Sequence, residues 1–596
     1  MFERIIPQRW RVKIDLVVRL VAFAVSLVAA GAVAINFGFD LPAEEHRWVT
    51  GIVRASWWFY FVTFTFQLLL TIINPRKVAL PLTVAVGTLL YVSALPQFFS
   101  VGEGSAFHGV WTFLGSSFVT MTVVCIFAVL DISRAIVGLM NRKTNPALML
   151  AGGFAIIIVV GALLFLLPRS LADGAHISVV DAFFVSTSAV CVTGLSPVDV
   201  STTFSIEGQI VLLALIQIGG LGVMTITSFF AMFYMGNTAA YSQLAMRDMV
   251  GSDTWNSLVS TLFYILGFTF VIEMIGALLI WASIHGTMAM TLNSEIYFSV
   301  FHAISAFCNA GFSTNSDNLS NAVLLNCSSF YVIVSMLVIF GGIGFPILVN
   351  FRTWIVYRIR SIFKPNHRKK MQRIANLNTR IVITTTIILL LFGTVAIAVT
   401  EWHGAFSGLS WGDKVVHSFF YSAVSRTAGF NSSDLSLFSS STMVVLVLLM
   451  WIGGASQSTA GGIKVNTVAV AAANFLSVIR GRGAVVLFNR EVSADSVRRS
   501  MATIFASISA ILITYLILLS TEPGISAKGL LFEIVSAAST VGLSCGVTPQ
   551  LSVVGKVVIS VLMFCGRVGF IVLGMSLVRH RGEARFRYPK DNIIIN

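Results

Sequence analysis

FHAISAFCNAGFS, residues 301–313, is a short Phe- and Ala-rich stretch that ends in a semi-polar Cys308–Asn309–Ala310–Gly311 run between two long apolar segments. The pattern occurs three more times. DAFFVSTSAVCVTGLS ends at Gly194–Leu195–Ser196, FFYSAVSRTAGFN at Gly429–Phe430–Asn431, and LFEIVSAASTVGLS at Gly542–Leu543–Ser544. A Phe stands ten residues before each glycine (Phe184, Phe301, Phe419, Phe532), and Leu or Phe and then Ser or Asn follow it. The glycines are 117, 118 and 113 residues apart. One such match is weak; four at a regular period mark an internal repeat.

A second landmark keeps step with the first. The apolar segment after each glycine carries IGGLG (218–222), FGGIG (340–344), IGGAS (452–456) or CGRVG (565–569). The first glycine of these runs follows the earlier glycine by 25, 30, 24 and 24 residues, so the second unit has a longer loop near 314–322. No strand precedes these glycines, which argues against a nucleotide-binding turn. Small residues that let helix backbones approach or bend fit better.

Composition sets the environment. Of 596 residues, 56% are hydrophobic and 11% charged, and the mean hydropathy is +0.88, which excludes an ordinary soluble domain. About a dozen apolar runs approach the roughly 20 residues that span a bilayer core. The start, MFERIIPQRWRVK, leads into a full-length apolar segment and reads as no cleavable signal peptide. The net charge of +14 clusters at 3–13, 76–77, 134–143, 352–380, 480–499 and 579–590, while 37–48 and 100–109 are poor in Lys and Arg. That is the positive-inside bias. It places the N-terminus, the 352–380 and 480–499 loops and the C-terminus in the cytoplasm, with basic groups near lipid headgroups and no nucleic-acid partner. The six cysteines make no CxxC or metal-spaced set.

Each unit reads as an apolar helix, a short semi-polar segment and a second apolar helix. From Phe to Gly is eleven residues, about 16 Å as helix and half a bilayer, so the middle segment dips in and returns on one side. Units of one orientation favour a ring around one axis over inverted repeats. The expected fold is an all-α polytopic membrane protein. It has four tandem helix–pore-loop–helix repeats in pseudo-fourfold arrangement, preceded by about four extra transmembrane helices. The expected divisions are 1–146 (N-terminal four-helix region), 147–240, 241–355, 356–490 with a cytoplasmic linker and an intramembrane loop, and 491–596 with the tail.

Backbone that leaves a helix inside a membrane is tolerated where it is buried or lines a water-filled path, and rings of carbonyls replace a cation's hydration shell. Glycine turns carbonyls inward and adds no side chain. The predicted filter is Val192–Thr193–Gly194, Asn309–Ala310–Gly311, Thr427–Ala428–Gly429 and Thr540–Val541–Gly542, with a desolvated monovalent cation at its carbonyls. No ring of acids stands there, which disfavours a divalent-selective site. GGASQSTAGG (453–462) interrupts an apolar helix with small and hydroxyl residues that hold helix poorly. It reads as a flexible plug below the filter. Arg567 replaces the second glycine of the pair in the fourth unit, and a charge at that depth needs partners. It is predicted to anchor the loop through carbonyls and to form a barrier when the pore is shut. Lys464, which ends the loop, reads equally as a second cation near the gate and as an interfacial side chain. Glu273 is an intramembrane charge with a packing role; Asp181 and Glu533 sit near the starts of the first and fourth middle segments.

These segments resemble the Trk/Ktr/HKT superfamily of potassium transporters. TSAVCVTGL and SRTAGFN are similar to the first and third pore segments of bacterial Trk and Ktr membrane subunits. GGASQSTAGGIKVNT (453–467), GRVG (566–569) and the ending RYPKDNIII (587–595) are similar to theirs, over about 147–596. The resemblance implies a pseudo-fourfold pore in one chain, a homodimer in the plasma (inner) membrane, and a gating loop that includes Gly453, Gly454, Ser456, Ser458, Thr459, Gly461 and Gly462. It also implies a cytoplasmic ring of regulatory subunits, which would carry ATP/ADP or NAD(H); this chain itself would need no cofactor. Glycine at all four positions is the family's potassium-preferring pattern. Residues 1–146 depart from the familiar subunits. FTFQLLLTIINPRK (64–77) resembles the second helix of voltage-sensor domains, but WTFLGSSFVTMTVVCIFAVL (111–130) has no Arg or Lys, so a packing or partner-docking bundle is the default reading. The expected function is potential-driven potassium uptake. A symporter coupled to Na+ or H+ stays open as the alternative. No enzyme motif appears.

Overall fold

In the computed structural model, residues 8–73, 81–99, 108–139, 146–234, 255–288, 290–325, 327–351 and 377–577 are described. The basic clusters at 76–77 and 579–590, most of 352–380, parts of 3–13 and 134–143, and the RYPKDNIII ending lie outside them. The described chain is helical apart from a two-stranded antiparallel hairpin pairing Val486–Leu487 with Arg490–Glu491.

The N-terminal helices, Gln8–Gly38, Ala43–Ile73, Pro81–Phe98 and His108–Leu114 with Ser117–Leu139, have their own core of Ala29, Val53, Trp57, Tyr60, Leu90, Val124 and Phe127. Tyr60 donates to Ser26 Oγ at 2.9 Å and the Trp57 indole to Ser93 Oγ at 3.2 Å, so the buried polar ends are satisfied.

Four leading helices follow, at Pro146–Phe165, Trp255–Ile284, Leu377–Glu401 and Ala494–Thr521. Each precedes a short helix: Val179–Val190, Leu292–Phe307, Trp411–Val424 and Ala527–Ala538. Every short helix starts at a hydroxyl cap (Ser178, Thr291, Ser410, Ser526) whose oxygen accepts an N–H of the first turn. Apolar side chains such as Phe270, Leu391, Val399 and Phe505 point outward from the leading helices, as a lipid surface requires.

Among the described residues, four helices are long and apolar enough to cross a membrane, or six if two bent pairs are each one span. The trailing helices, at 206–234, 328–351, 440–479 and 553–577, break. The GGxG signature is the reason. Gly222, Gly344 and Gly569 have φ of 67°, 98° and 100°, a conformation only glycine adopts readily. Ser328–Ile343 and Phe345–Phe351 meet at 100° across Gly344. In the third unit the break widens: Ser440–Trp451 and Val465–Ile479 are separated by residues 452–464.

The start of each trailing helix touches the next short helix. Tyr297 donates to Gln209 at 3.0 Å, Ser328 to Asp413, and Lys528 to Ser440 at 3.3 Å. The Lys556–Asp181 ion pair at 2.6 Å runs from the fourth unit back to the first, so the chain of contacts closes on itself.

Candidate functional site

The short helices cap three residues before their glycines at Cys191, Cys308 and Ser539, and four residues before in the third unit, at Ser425. In three units the next residue but one before the glycine turns left-handed: Val192 (φ 56°), Asn309 (60°) and Thr540 (50°). Thr193, Ala310 and Val541 then donate their N–H to the carbonyls of Ser188, Ser305 and Ser536, each at 2.8 Å. The same serines act again through their hydroxyls. Ser188 and Ser536 accept from the N–H of Gly194 and Gly542 at 3.0 Å, and Ser305 donates to the Phe312 carbonyl at 2.8 Å. In the third unit Ala423 holds the serine position, Thr427 is not left-handed, and Ala428 N–H bonds Val424 at 2.9 Å. The serine six residues before three of the four glycines was readable in the sequence and was missed.

The four glycines meet in cyclic order. A Cβ on Gly194 would strike the Ala310 carbonyl and crowd Gly311; one on Gly311 would lie 2.5 Å from the Ala428 oxygen and 3.0 Å from Gly429 Cα. A Cβ on Gly429 would meet Val541 and Gly542, and one on Gly542 would meet Thr193 and Gly194. All four have positive φ, between 69° and 96°. Val192, Thr193, Asn309, Ala310, Thr427, Ala428, Thr540 and Val541 are all buried beside them. Asn309 and Thr427 touch through their side chains at 2.8 Å. The C-terminal ends of four helices abut this cluster, and each carries a partial negative charge of about half a unit. Small, carbonyl-rich and electronegative, the cluster is chemically suited to a bare cation.

Residues 452–464 lie against it. The loop is closed at its base by Gly453 N–H to Ile463 (2.9 Å) and Val465 N–H to Gly454 (3.0 Å). Ala455 and Thr459 N–H donate to the carbonyls of Gly342 (2.9 Å) and Gly341 (3.3 Å), and Thr459 Oγ1 to Phe307 (3.3 Å). Ser458 Oγ turns back onto Ala455 at 2.7 Å, Ser456 lies beside Gly344, and Gly461 and Gly462 press on Thr540 and Ser539. Arg567, 7% exposed, donates Nη1 to the Thr459 carbonyl and Nη2 to the Gly219 carbonyl. It thereby ties the fourth unit to the first and to the third unit's loop. Lys464 Nζ donates to the Ala460 carbonyl at 2.7 Å. The acceptors Gly219, Gly341, Gly342 and Phe307 had no polar side chain to mark them.

Glu273 is 7% exposed and accepts from Gln217 Nε2 at 3.1 and 3.2 Å, with the Cys308 thiol 3.8 Å away. Glu533, fully buried, accepts from Ser544 at 2.8 Å and from Thr548. Asp181 pairs with Lys556 at 2.6 Å.

A closed cluster of four glycine turns at helix C-termini, carried by lipid-facing helices, defines a cation-handling membrane protein. The cation transport protein family TrkH matches residues 117–580, and the chain belongs to it, among the Trk/Ktr-type potassium transporters. It is 32% identical to the potassium/sodium uptake protein NtpJ of Enterococcus hirae over 76% of this chain and 98% of that protein. It is 35% identical to the Ktr system potassium uptake protein B of Vibrio alginolyticus (74% and 92% covered) and 33% identical to that of Bacillus subtilis (76% and 97%). The potassium transporter TrkH of Vibrio parahaemolyticus shares the fold, with a TM-score of 0.58 at 17% identity over 83% of this chain and 96% of that one. Residues before 117 lie outside the family match.

Proposed function

We propose that this chain is a potassium-uptake pore in which K+ sheds water onto the carbonyls of the four glycine segments and enters down the membrane potential. The observation that carries the reading is the cyclic contact of Gly194, Gly311, Gly429 and Gly542, each with positive φ. That order supports four tandem repeats in pseudo-fourfold arrangement. Residues 452–464 form the gate, held shut by Arg567 and flanked by Lys464. The gate answers to a cytoplasmic nucleotide-binding subunit, and the chain works as a homodimer with both termini in the cytoplasm. The word "system" in the names of the Ktr relatives supports a partner subunit.

The test is K+ and Na+ uptake by purified protein in liposomes under an imposed potential, wild type beside Gly311→Ser. The expected result is K+ flux without a counter-ion gradient and a K+:Na+ ratio that falls with the serine. An unchanged ratio would move selectivity elsewhere. A second reading, cation-coupled symport, is favoured by Glu273, a buried carboxyl beside the second filter segment. Flux that needs a Na+ or H+ gradient would select it.

A further inference from the structure

The second unit has the longest span between its glycine landmarks, and part of that loop folds back onto the first of them. Asn318 is left-handed (φ 55°), a conformation Asn tolerates better than most residues. Its Nδ2 lies 3.4 Å from the carbonyl oxygen of Gly311. Among the described residues, no side chain donates to the carbonyls of Gly194, Gly429 or Gly542.

Asn318 is held from two sides. The next residue, Leu319, is fully buried; its N–H donates to the Asn431 carbonyl of the third unit at 3.0 Å, and its carbonyl accepts from the Tyr331 hydroxyl at 2.6 Å. On the other side, Ser313 Oγ stands 3.1 Å from the Asn318 carbonyl and accepts from Asn315 N–H at 3.1 Å. The same oxygen is 2.9 Å from His302 Nε2, and His302 Nδ1 donates to the Phe298 carbonyl at 2.8 Å. A run of polar contacts therefore leads from the second short helix to one filter oxygen.

We propose that Asn318 is a positioning residue for the Gly311 carbonyl, kept in place by its left-handed turn and by the anchored Leu319 beside it; the proposal rests on the filter reading above. A carbonyl has two lone pairs. The amide occupies one, which fixes the direction of the other and lowers the charge this oxygen offers. Na+ is smaller than K+ and needs its oxygens closer. A braced carbonyl does not follow it inward, so one corner of the ring is stiffened against Na+.

The experiment uses the full chain in the same liposome assay, with Asn318→Gly and Asn318→Asp. Glycine keeps the left-handed turn and removes the amide; aspartate keeps size and turn and replaces the donor with acceptors. The K+:Na+ ratio is independent of how much protein is active, so loss of fold does not mimic the effect. Both variants are expected to lower the ratio about threefold, the scale of one lost hydrogen bond. If both keep the wild-type ratio while Gly311→Ser lowers it, the brace is refuted and the filter stands. If Gly311→Ser also changes nothing, the filter reading falls and takes the brace with it. A fall with Asn318→Asp alone would assign the effect to the added charge and likewise overturn the proposal.

Discussion

Arg567→Ala should raise K+ flux in the absence of any regulatory subunit. Arg567 makes two charge-assisted hydrogen bonds, to Thr459 and Gly219, while its Nε has no hydrogen-bond partner among the described residues. Such bonds contribute about 1.5–3 kcal/mol each, and only the one to Thr459 reaches the loop; the bond to Gly219 holds the guanidinium to the first unit. Losing the Thr459 bond therefore shifts the loop by about 1.5–3 kcal/mol, roughly ten- to a hundredfold in open population. The charge acts separately. Two unit charges about 6 Å apart at an effective dielectric of about 20 repel by about 2.8 kcal/mol, near a hundredfold, which sets the scale for a K+ passing this guanidinium. Two further variants divide these effects. Arg567→Lys keeps the charge and loses the two-pronged bond; Arg567→Gln keeps a donor and loses the charge. Uptake is read with a K+-sensitive dye in liposomes at a fixed imposed potential. If repulsion dominates, alanine and glutamine raise flux and lysine does not; if anchoring dominates, lysine raises it too. Wild-type flux in all three would refute both roles.

The other expectations are narrower. Gly542→Ala places a methyl on the Thr193 carbonyl at φ 95°, a strain of about 1–2 kcal/mol before any overlap; K+ flux should fall to background in liposomes, and retained selective flux would contradict the tight ring. Thr459→Ala removes the Oγ1 bond to Phe307 but leaves the backbone acceptor of Arg567, so it should raise basal flux only severalfold, well short of Arg567→Ala; an equal or larger rise would shift the hold from the arginine to the hydroxyl. Lys556→Met leaves Asp181 unpaired at the junction of the fourth and first units, where both side chains are about 15% exposed. It should cost about 1–3 kcal/mol, seen as a lower thermal midpoint in detergent, and the added Asp181→Asn should restore much of it. If the double variant melts no higher than the single one, the pair does not close the ring.

Much of this arrangement is written locally. Hydroxyl caps at Ser178, Thr291, Ser410 and Ser526 start the short helices, and the apolar lengths on either side mark the helices around them. The glycines reveal themselves because they recur at one spacing. The left-handed turns at Val192 and Thr540 do not, since β-branched residues disfavour that conformation. Tertiary contacts hold them there, against local preference. The bonds of residues 452–464 were hidden for a related reason. Their acceptors are backbone carbonyls of Gly341, Gly342 and Phe307, and a backbone oxygen leaves no mark in the residue type. Asn318 left only an indirect sign, the longer spacing of its unit.

Under the gating role proposed above, the third unit's loop derives from a part the other units share. Every trailing helix opens at its glycine landmark, where its backbone passes the neighbouring segments. In three units one left-handed glycine does this, and the freed carbonyls Gly219, Gly341 and Gly342 sit beside the broken turn. In the third unit the same break holds the extra residues 452–464, which donate their N–H groups to Gly341 and Gly342 and leave Gly219 to Arg567. The loop is thus satisfied by the same oxygens that the other breaks expose. Under the proposed gating role the loop's hold is marginal, because water satisfies those oxygens almost as well. That near balance is what the proposed role requires, and it falls in the unit whose short helix lacks the serine clamp and the left-handed turn at Thr427.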